Sequence, residues 1–410
     1  MRIVLVEVGE PRDPLTWDAW FSADGRFGLP DAGMVAIASL CRPHDEVVIH
    51  DEKVSGPVPL DLQADLIGFT YKTLFAKRAH RLASHFRDRG ITVVLGGVHA
   101  SAVPQEAAKY ANIVVVGEGE GVWPTVLDDI EKGQAKPLYR ATNPPVRLDT
   151  QPPQRGDLLE QGKYQAHALQ SARGCSFSCE FCPTRSLFGD SYRLRAVDAV
   201  LGDVARFRAR EDRPIFFTEN VFGAGHLKYL DAVTGGVMRM EAPFAAICDW
   251  QITTPAMIKL LARNGLGLVG INMTGRDEAQ EEAALTAFHD AGIPIWGYLM
   301  FGFEEDLPDV FERAIQKARR FDMVSVSPTV LAPYPGTPMA ARLEREGRIF
   351  DHDTDLLDQH HVVFHPKNMS ADELFAGYEY FCREMADLLP FSRAIEAILP
   401  PVPRAGRTRG

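Results

Sequence analysis

The chain has 410 residues, of which 46% are apolar and 24% charged, and a formal net charge of −11. That length suits two or three domains with sizeable cores, and the composition excludes a wholly disordered chain. The acidic balance excludes a general nucleic-acid binder, whose affinity rests on clustered lysine and arginine; Arg404, Arg407 and Arg409 read as a solvated tail.

The first predicted element is a strand at 2–8. It opens the chain without the basic start and long apolar run of a signal peptide. No run of about 18 apolar residues follows anywhere, so no transmembrane segment is expected. The expectation is a cytoplasmic protein, in which the six cysteines are free, metal-binding or catalytic rather than paired. Further short strands rich in Val, Ile and Leu are predicted at 46–50, 65–70, 92–96 and 112–117. Helical spacing of apolar residues between them is clearest at 74–89. Buried strands alternating with helices imply a parallel, doubly wound sheet over 1–135, with its ligand beyond the carboxyl ends of the strands. Those ends run into Gly96-Gly97-Val98-His99 and Gly117-Glu118-Gly119-Glu120-Gly121, which by themselves are equally well read as tight turns before helices.

Prolines 137, 144, 145, 152 and 153 mark 136–166 as an extended linker. Alternation then resumes. Strands are predicted at 167–172, 214–218, 244–249, 266–273, 294–300 and 323–329, with helices between them at, for example, 254–263 and 307–320. Six strand–helix units over 167–332 suit a partial (β/α)6 barrel with its site at the C-terminal mouth. A less regular segment, 333–410, includes an amphipathic helix near 371–388. The fold class is therefore α/β: a Rossmann-like domain, a partial TIM-like barrel and an α-rich C-terminal segment.

The chemistry concentrates in one loop. Arg173-Gly-Cys175-Ser-Phe-Ser-Cys179-Glu-Phe181-Cys182-Pro directly follows the first predicted barrel strand. Three thiols so close in a loop are not core packing, unlike the scattered Cys41, Cys248 and Cys382. Structural zinc competes as an explanation but wants four protein ligands, and no fourth Cys or His lies at finger-like spacing. A cubane iron–sulfur cluster on three thiolates leaves one iron open.

This CxxxCxxC, with aromatic Phe181 before the last cysteine, resembles the radical S-adenosylmethionine (SAM) superfamily. The resemblance implies a [4Fe-4S] cluster held by Cys175, Cys179 and Cys182. Its open iron chelates SAM, and one electron splits SAM into methionine and a 5′-deoxyadenosyl radical. It also implies that Phe181 borders the adenine and that Glu219 and Asn220 lie near SAM, with Glu219 on its ammonium group. Asn272 stands where many relatives carry a glutamate, and Gly302 lies in a glycine-containing turn beside SAM.

The doubly wound first domain joined to this barrel is similar to the cobalamin-binding subgroup of that superfamily. The likeness includes Val94–His99, Val116–Glu120, Trp123, Phe188-Gly189 and Pro333-Tyr-Pro-Gly-Thr-Pro338. It implies cobalamin between the domains, with its nucleotide tail near Thr70, Thr73, Gly96 and Gly97, and Gly117 and Glu118 also at the cofactor. No Asp-x-His-x-x-Gly motif occurs, so cobalt has no lower ligand from it, and a domain that has lost cobalamin stays open as an alternative. His360, His361 and Tyr334 read as packed or surface residues before they read as pocket residues.

The leading expectation is cobalamin-dependent methylation of an unactivated carbon in a small metabolite or lipid. An external donor such as flavodoxin or ferredoxin would supply electrons. The alternative keeps the radical without methyl transfer: a cyclisation, dehydration, epimerisation or other rearrangement. A third reading is a non-catalytic scaffold with structural zinc.

Overall fold

The structure, a computed structural model, describes residues 1–10, 18–141, 145–275 and 277–398. The proposed solvated arginines 404, 407 and 409, and Pro144 of the expected linker, lie outside the described residues.

β1 (Arg2–Glu7), β2 (Glu46–Asp51), β3 (Leu66–Thr70), β4 (Thr92–Gly96), β5 (Ile113–Val116) and β6 (Leu138–Arg140) form one parallel sheet in the order β2-β1-β3-β4-β5-β6. The apolar runs of its central strands reflect burial on both faces. Val4, Val6, Ile67, Phe69, Val93 and Leu95 join one core, while Ile3, Leu5, Leu66 and Val94 join the other. This alternation is the period-two geometry of a strand sandwiched between helical layers.

β6 falls within the proline-rich stretch expected to be an extended linker. Pro137 supplies a carbonyl to Val114 N, and 138–140 then adds the sixth strand to the sheet. Further along the same stretch, Tyr164 is buried and donates its hydroxyl to Asp51 at 2.9 Å. The prolines disfavour helix here but permit an edge strand, because an edge position leaves one side of the backbone unpaired.

β7 (His167–Leu169) starts the second parallel sheet. β8 (Ala172–Arg173) and β9 (Arg193–Leu194) form a small antiparallel ribbon, so the expected strand at 167–172 is split at Gln170. β10 (Ile215–Phe217), β11 (Phe244–Cys248), β12 (Leu266–Met273), β13 (Ile295–Phe301) and β14 (Ser325–Val330) complete the order β14-β13-β12-β11-β10-β7. The concave side carries Phe216, Ala245, Leu268 and Trp296. It is filled by the terminal helix Phe391–Ile398, whose Phe391 stacks on Trp20 at 4.8 Å between ring centroids. The convex side packs against helices such as Pro255–Arg263 and Val310–Arg320. No described helix is long and apolar enough to cross a membrane.

Candidate functional site

The three-cysteine loop leaves β8 through Gly174 at φ +87°, where a Cβ would collide with the Ser191 carbonyl oxygen, two residues before β9. Only glycine fits this approach. Cys175, Cys179 and Cys182 are all partly exposed. Phe177 N–H donates to Cys175 Sγ at 3.4 Å, and Thr184 Oγ1 lies 3.2 Å from Cys182 Sγ. Glu180 ties the loop down. Its carboxylate meets Arg342 at 2.7 Å, Arg342 also meets Glu304 at 2.6 Å, and the Glu180 carbonyl accepts Met339 N–H at 3.0 Å. Arg348 and Arg342 hold the Glu304 carboxyl down at about 2.

The cysteines line a cavity of about 420 Å³ at the C-terminal mouth of the barrel, together with Phe181, Thr218, Asn220 and Asn272. Asp249, one residue past β11, also faces it. Burial raises the Asp249 carboxyl, while the Gln251 N–H at 2.9 Å and the Asn272 amide oppose the shift. His360 reaches the cavity wall just after Gln359, whose φ of +69° is unusual for a non-glycine residue. Its Nδ1 lies 2.6 Å from the Tyr378 hydroxyl.

A second cavity, about 810 Å³, lies beyond the carboxyl ends of the first sheet and is lined by both halves of the chain. Thr70, Gly96, Gly97, Gly117 and Glu118 supply its first-domain wall. Gly97 has φ +90°, and a Cβ there would stand 2.5 Å from Thr70 Oγ1. Thr218, Asn220, Gln359 and His360 border both cavities, so the two spaces adjoin.

No family model matches the chain. It is 27% identical over 388 residues to the bacteriochlorophyllide d C-12(1)-methyltransferase of Chlorobaculum tepidum, covering 88% of this chain and 83% of that protein. It is 26% identical to the C-8(2)-methyltransferase of the same organism, covering 80% and 79%. Among solved structures, the radical SAM methyltransferase TsrM of Kitasatospora setae, determined with cobalamin and a [4Fe-4S] cluster bound, shares the fold. It superposes with a TM-score of 0.64 at 15% identity, over 84% of this chain and 78% of TsrM. The chain therefore resembles these methyltransferases in sequence and shares the two-part fold of TsrM.

The donor set of Cys175, Cys179 and Cys182 fits an iron–sulfur cluster. Ligands of one tetrahedral zinc sit about 3.8 Å apart at the usual Zn–S length. Among the described residues, the three thiols are not drawn within 4.8 Å of one another as ligands of one ion would be. Burial pushes the Cys175 thiol up, and a bound metal would favour its thiolate form. Gly96, Gly97 and Gly117 line the interdomain cavity with bare backbone, which leaves room for a large flat cofactor to approach.

Several expected site residues sit elsewhere in this chain. Glu219 was expected at the SAM ammonium group, but it is 1% exposed and does not line the cavity. Thr218 and Asn220 face the cavity, while the residue between them, just past the end of β10, turns inward. There it accepts the Ser171 hydroxyl and, at 3.3 Å, the Ser171 N–H. Burial raises its carboxyl to about 7. Asp249 is the carboxylate that faces the cavity, and its place at a strand's C-terminal end was the available signal. Thr73 was expected at the cobalamin tail, but it is buried 3.1 Å from His99 Nδ1 and off the interdomain cavity. Gly302 lies off the main cavity, in a small recess shared with Phe181. Glu118 borders the cavity, yet its carboxylate is engaged by Arg173 and Arg193. His360 and Tyr334, read first as packing residues, line cavities, whereas His361 is exposed and paired with Asp358.

Proposed function

We propose that this enzyme uses a [4Fe-4S] cluster on Cys175, Cys179 and Cys182 to cleave SAM, and transfers a methyl group to an unactivated carbon of a small molecule with cobalamin's help. The adjoining of the two cavities at Thr218, Asn220 and His360 carries this reading, because it gives a cluster-side cofactor and an interdomain cofactor a shared border. When bound, the cluster supplies the electron that breaks SAM, and cobalamin supplies a methyl carrier. The chain's own residues bind, orient and shield. Asp249, backed by Asn272, offers a carboxylate to the SAM ammonium group, and Phe181 offers an apolar wall to its adenine. Gly96, Gly97 and Gly117 let backbone approach the interdomain cofactor. Trp20, Tyr298 and Phe391 close the floor of the barrel and exclude water beneath the site. The His360–Tyr378 pair can hold or pass a proton at the border.

The relatives named for methylation of bacteriochlorophyllides, and a hopanoid C-2 methylase 21% identical to this chain, support a small-molecule or lipid substrate. An external flavodoxin- or ferredoxin-type donor completes the proposal. One observation favours the alternative without methyl transfer: a further relative, 22% identical, is named an anaerobic magnesium-protoporphyrin IX monomethyl ester cyclase. Product analysis with the true substrate separates the readings. Methyl transfer yields S-adenosylhomocysteine beside 5′-deoxyadenosine; 5′-deoxyadenosine alone overturns it. Retained corrinoid absorption after anaerobic gel filtration tests the cobalamin assignment by itself.

A further inference from the structure

Away from the cysteine loop, the first domain holds a second set of ligand-type side chains. His80 on the helix Ala76–Asp88, His99 in Gly97–Ala102 and Glu106 in Pro104–Ala107 each bring a ligand atom within 4.8 Å of the other two. His80 is 6% exposed and His99 is 1% exposed. One nitrogen of each ring is already engaged by a hydroxyl: His80 Nε2 lies 3.1 Å from the Tyr71 hydroxyl, and His99 Nδ1 lies 3.1 Å from Thr73 Oγ1. The other nitrogens are left for the cluster. His80 Nδ1 stands 3.7 Å from Glu106 Oε1, and His99 Nε2 is buried with no hydrogen-bond partner.

A buried ring nitrogen without a partner is costly, and such an atom calls for an ion or a water. Metal-bound histidines commonly have their outer nitrogen fixed by a hydrogen bond, which sets the tautomer and aims the other lone pair inward. Both histidines here have that arrangement. We propose that His80, His99 and Glu106 form a divalent transition-metal site, with zinc as its best-matched ion. Two imidazoles and one carboxylate are a zinc-type donor set, and three protein ligands leave one position for water. The ion ties three helices together behind the Gly96–Gly97 turn, with Tyr110 stacked on His80 at 4.2 Å as a lid. This site is separate from the cluster cysteines and independent of the methyl-transfer proposal.

The test uses the full-length protein with its iron–sulfur cluster reconstituted, dialysed free of loose metal and titrated with zinc ion against a chromophoric chelator. The expected result is one tightly held zinc per chain, whose X-ray absorption shows nitrogen and oxygen neighbours at about 2.0–2.1 Å. His99→Gln removes that zinc. Glu106→Gln, at the most exposed of the three ligands, weakens it by about tenfold or more while iron content and circular dichroism stay unchanged. If His99→Gln does not fold, the Glu106 variant carries the comparison. Zinc that is absent or far below one per chain would point to a bridging water and overturn the proposal. So would sulfur neighbours at about 2.3 Å, or an affinity unmoved by Glu106→Gln.

Discussion

Arg173, two residues before the first cluster cysteine, reaches across to Glu118 of the first domain, with Nη1 3.4 Å from Oε1. The same guanidinium pairs with Glu120, and Arg193 meets the other oxygen of Glu118 at 2.9 Å. All of these except Arg193 are at least nine-tenths buried, so the GEGEG turn and the cysteine loop share one desolvated charge cluster. Removing one partner of such a pair strands the other's charge, at a cost of about 3–5 kcal/mol. Arg173→Met is therefore expected to lower the thermal midpoint sharply. Arg147→Ala, which breaks an exposed pair with Asp149, leaves it unmoved in the same differential scanning experiment.

Glu219 predicts a pH signature. Burial is the main cause that raises its carboxyl from 4.5 to about 7 in the folded chain, against the hydrogen bonds from Ser171. Below 4.5 the group is protonated in both states and costs nothing. Between 4.5 and about 7 the unfolded chain gives up the proton while the folded chain keeps it, so stability falls as pH rises. The accumulated loss above the folded value is about 3 kcal/mol. Urea denaturation from pH 5 to 8 is expected to show this decline in the wild type and a flatter profile in Glu219→Gln.

Gly97 predicts a defect confined to the interdomain cavity. Its φ of +90° disfavours any L side chain, and a methyl group would press on Thr70 Oγ1. Gly97→Ala is expected to cost about 1–3 kcal/mol in backbone strain. It also narrows the cradle, so corrinoid retention after gel filtration falls while iron and sulfide content stay at wild-type levels.

Much of this architecture is legible from residue patterns. The strands of both sheets follow from short Val-, Ile- and Leu-rich runs, and β12 coincides with its predicted span. The cysteine loop needed only its spacing. What escaped depends on direction and long-range partners. β6 was hidden because proline argues against structure locally, while the neighbouring strand that accepts it is distant in the chain. Glu219 and Thr73 have the right residue types just past strands, but a buried serine for one and a buried histidine for the other decide where each side chain goes. Asp249, Tyr298 and Tyr378 carry no local motif and line one cavity only because the end of β11, β13 and the helix Ala371–Glu384 converge in the fold. The helix Phe391–Ile398 lies beyond Pro390, where helical patterning is interrupted, and earns its place by filling the barrel.

The most direct test of the account is SAM cleavage by the anaerobically reconstituted protein under strong reductant, followed by chromatography of 5′-deoxyadenosine. The wild type is expected to form it, and the variant with Cys175, Cys179 and Cys182 all changed to alanine is expected to lose both iron and product. Undiminished 5′-deoxyadenosine from that variant would contradict the central claim that these thiolates hold the cluster that opens SAM.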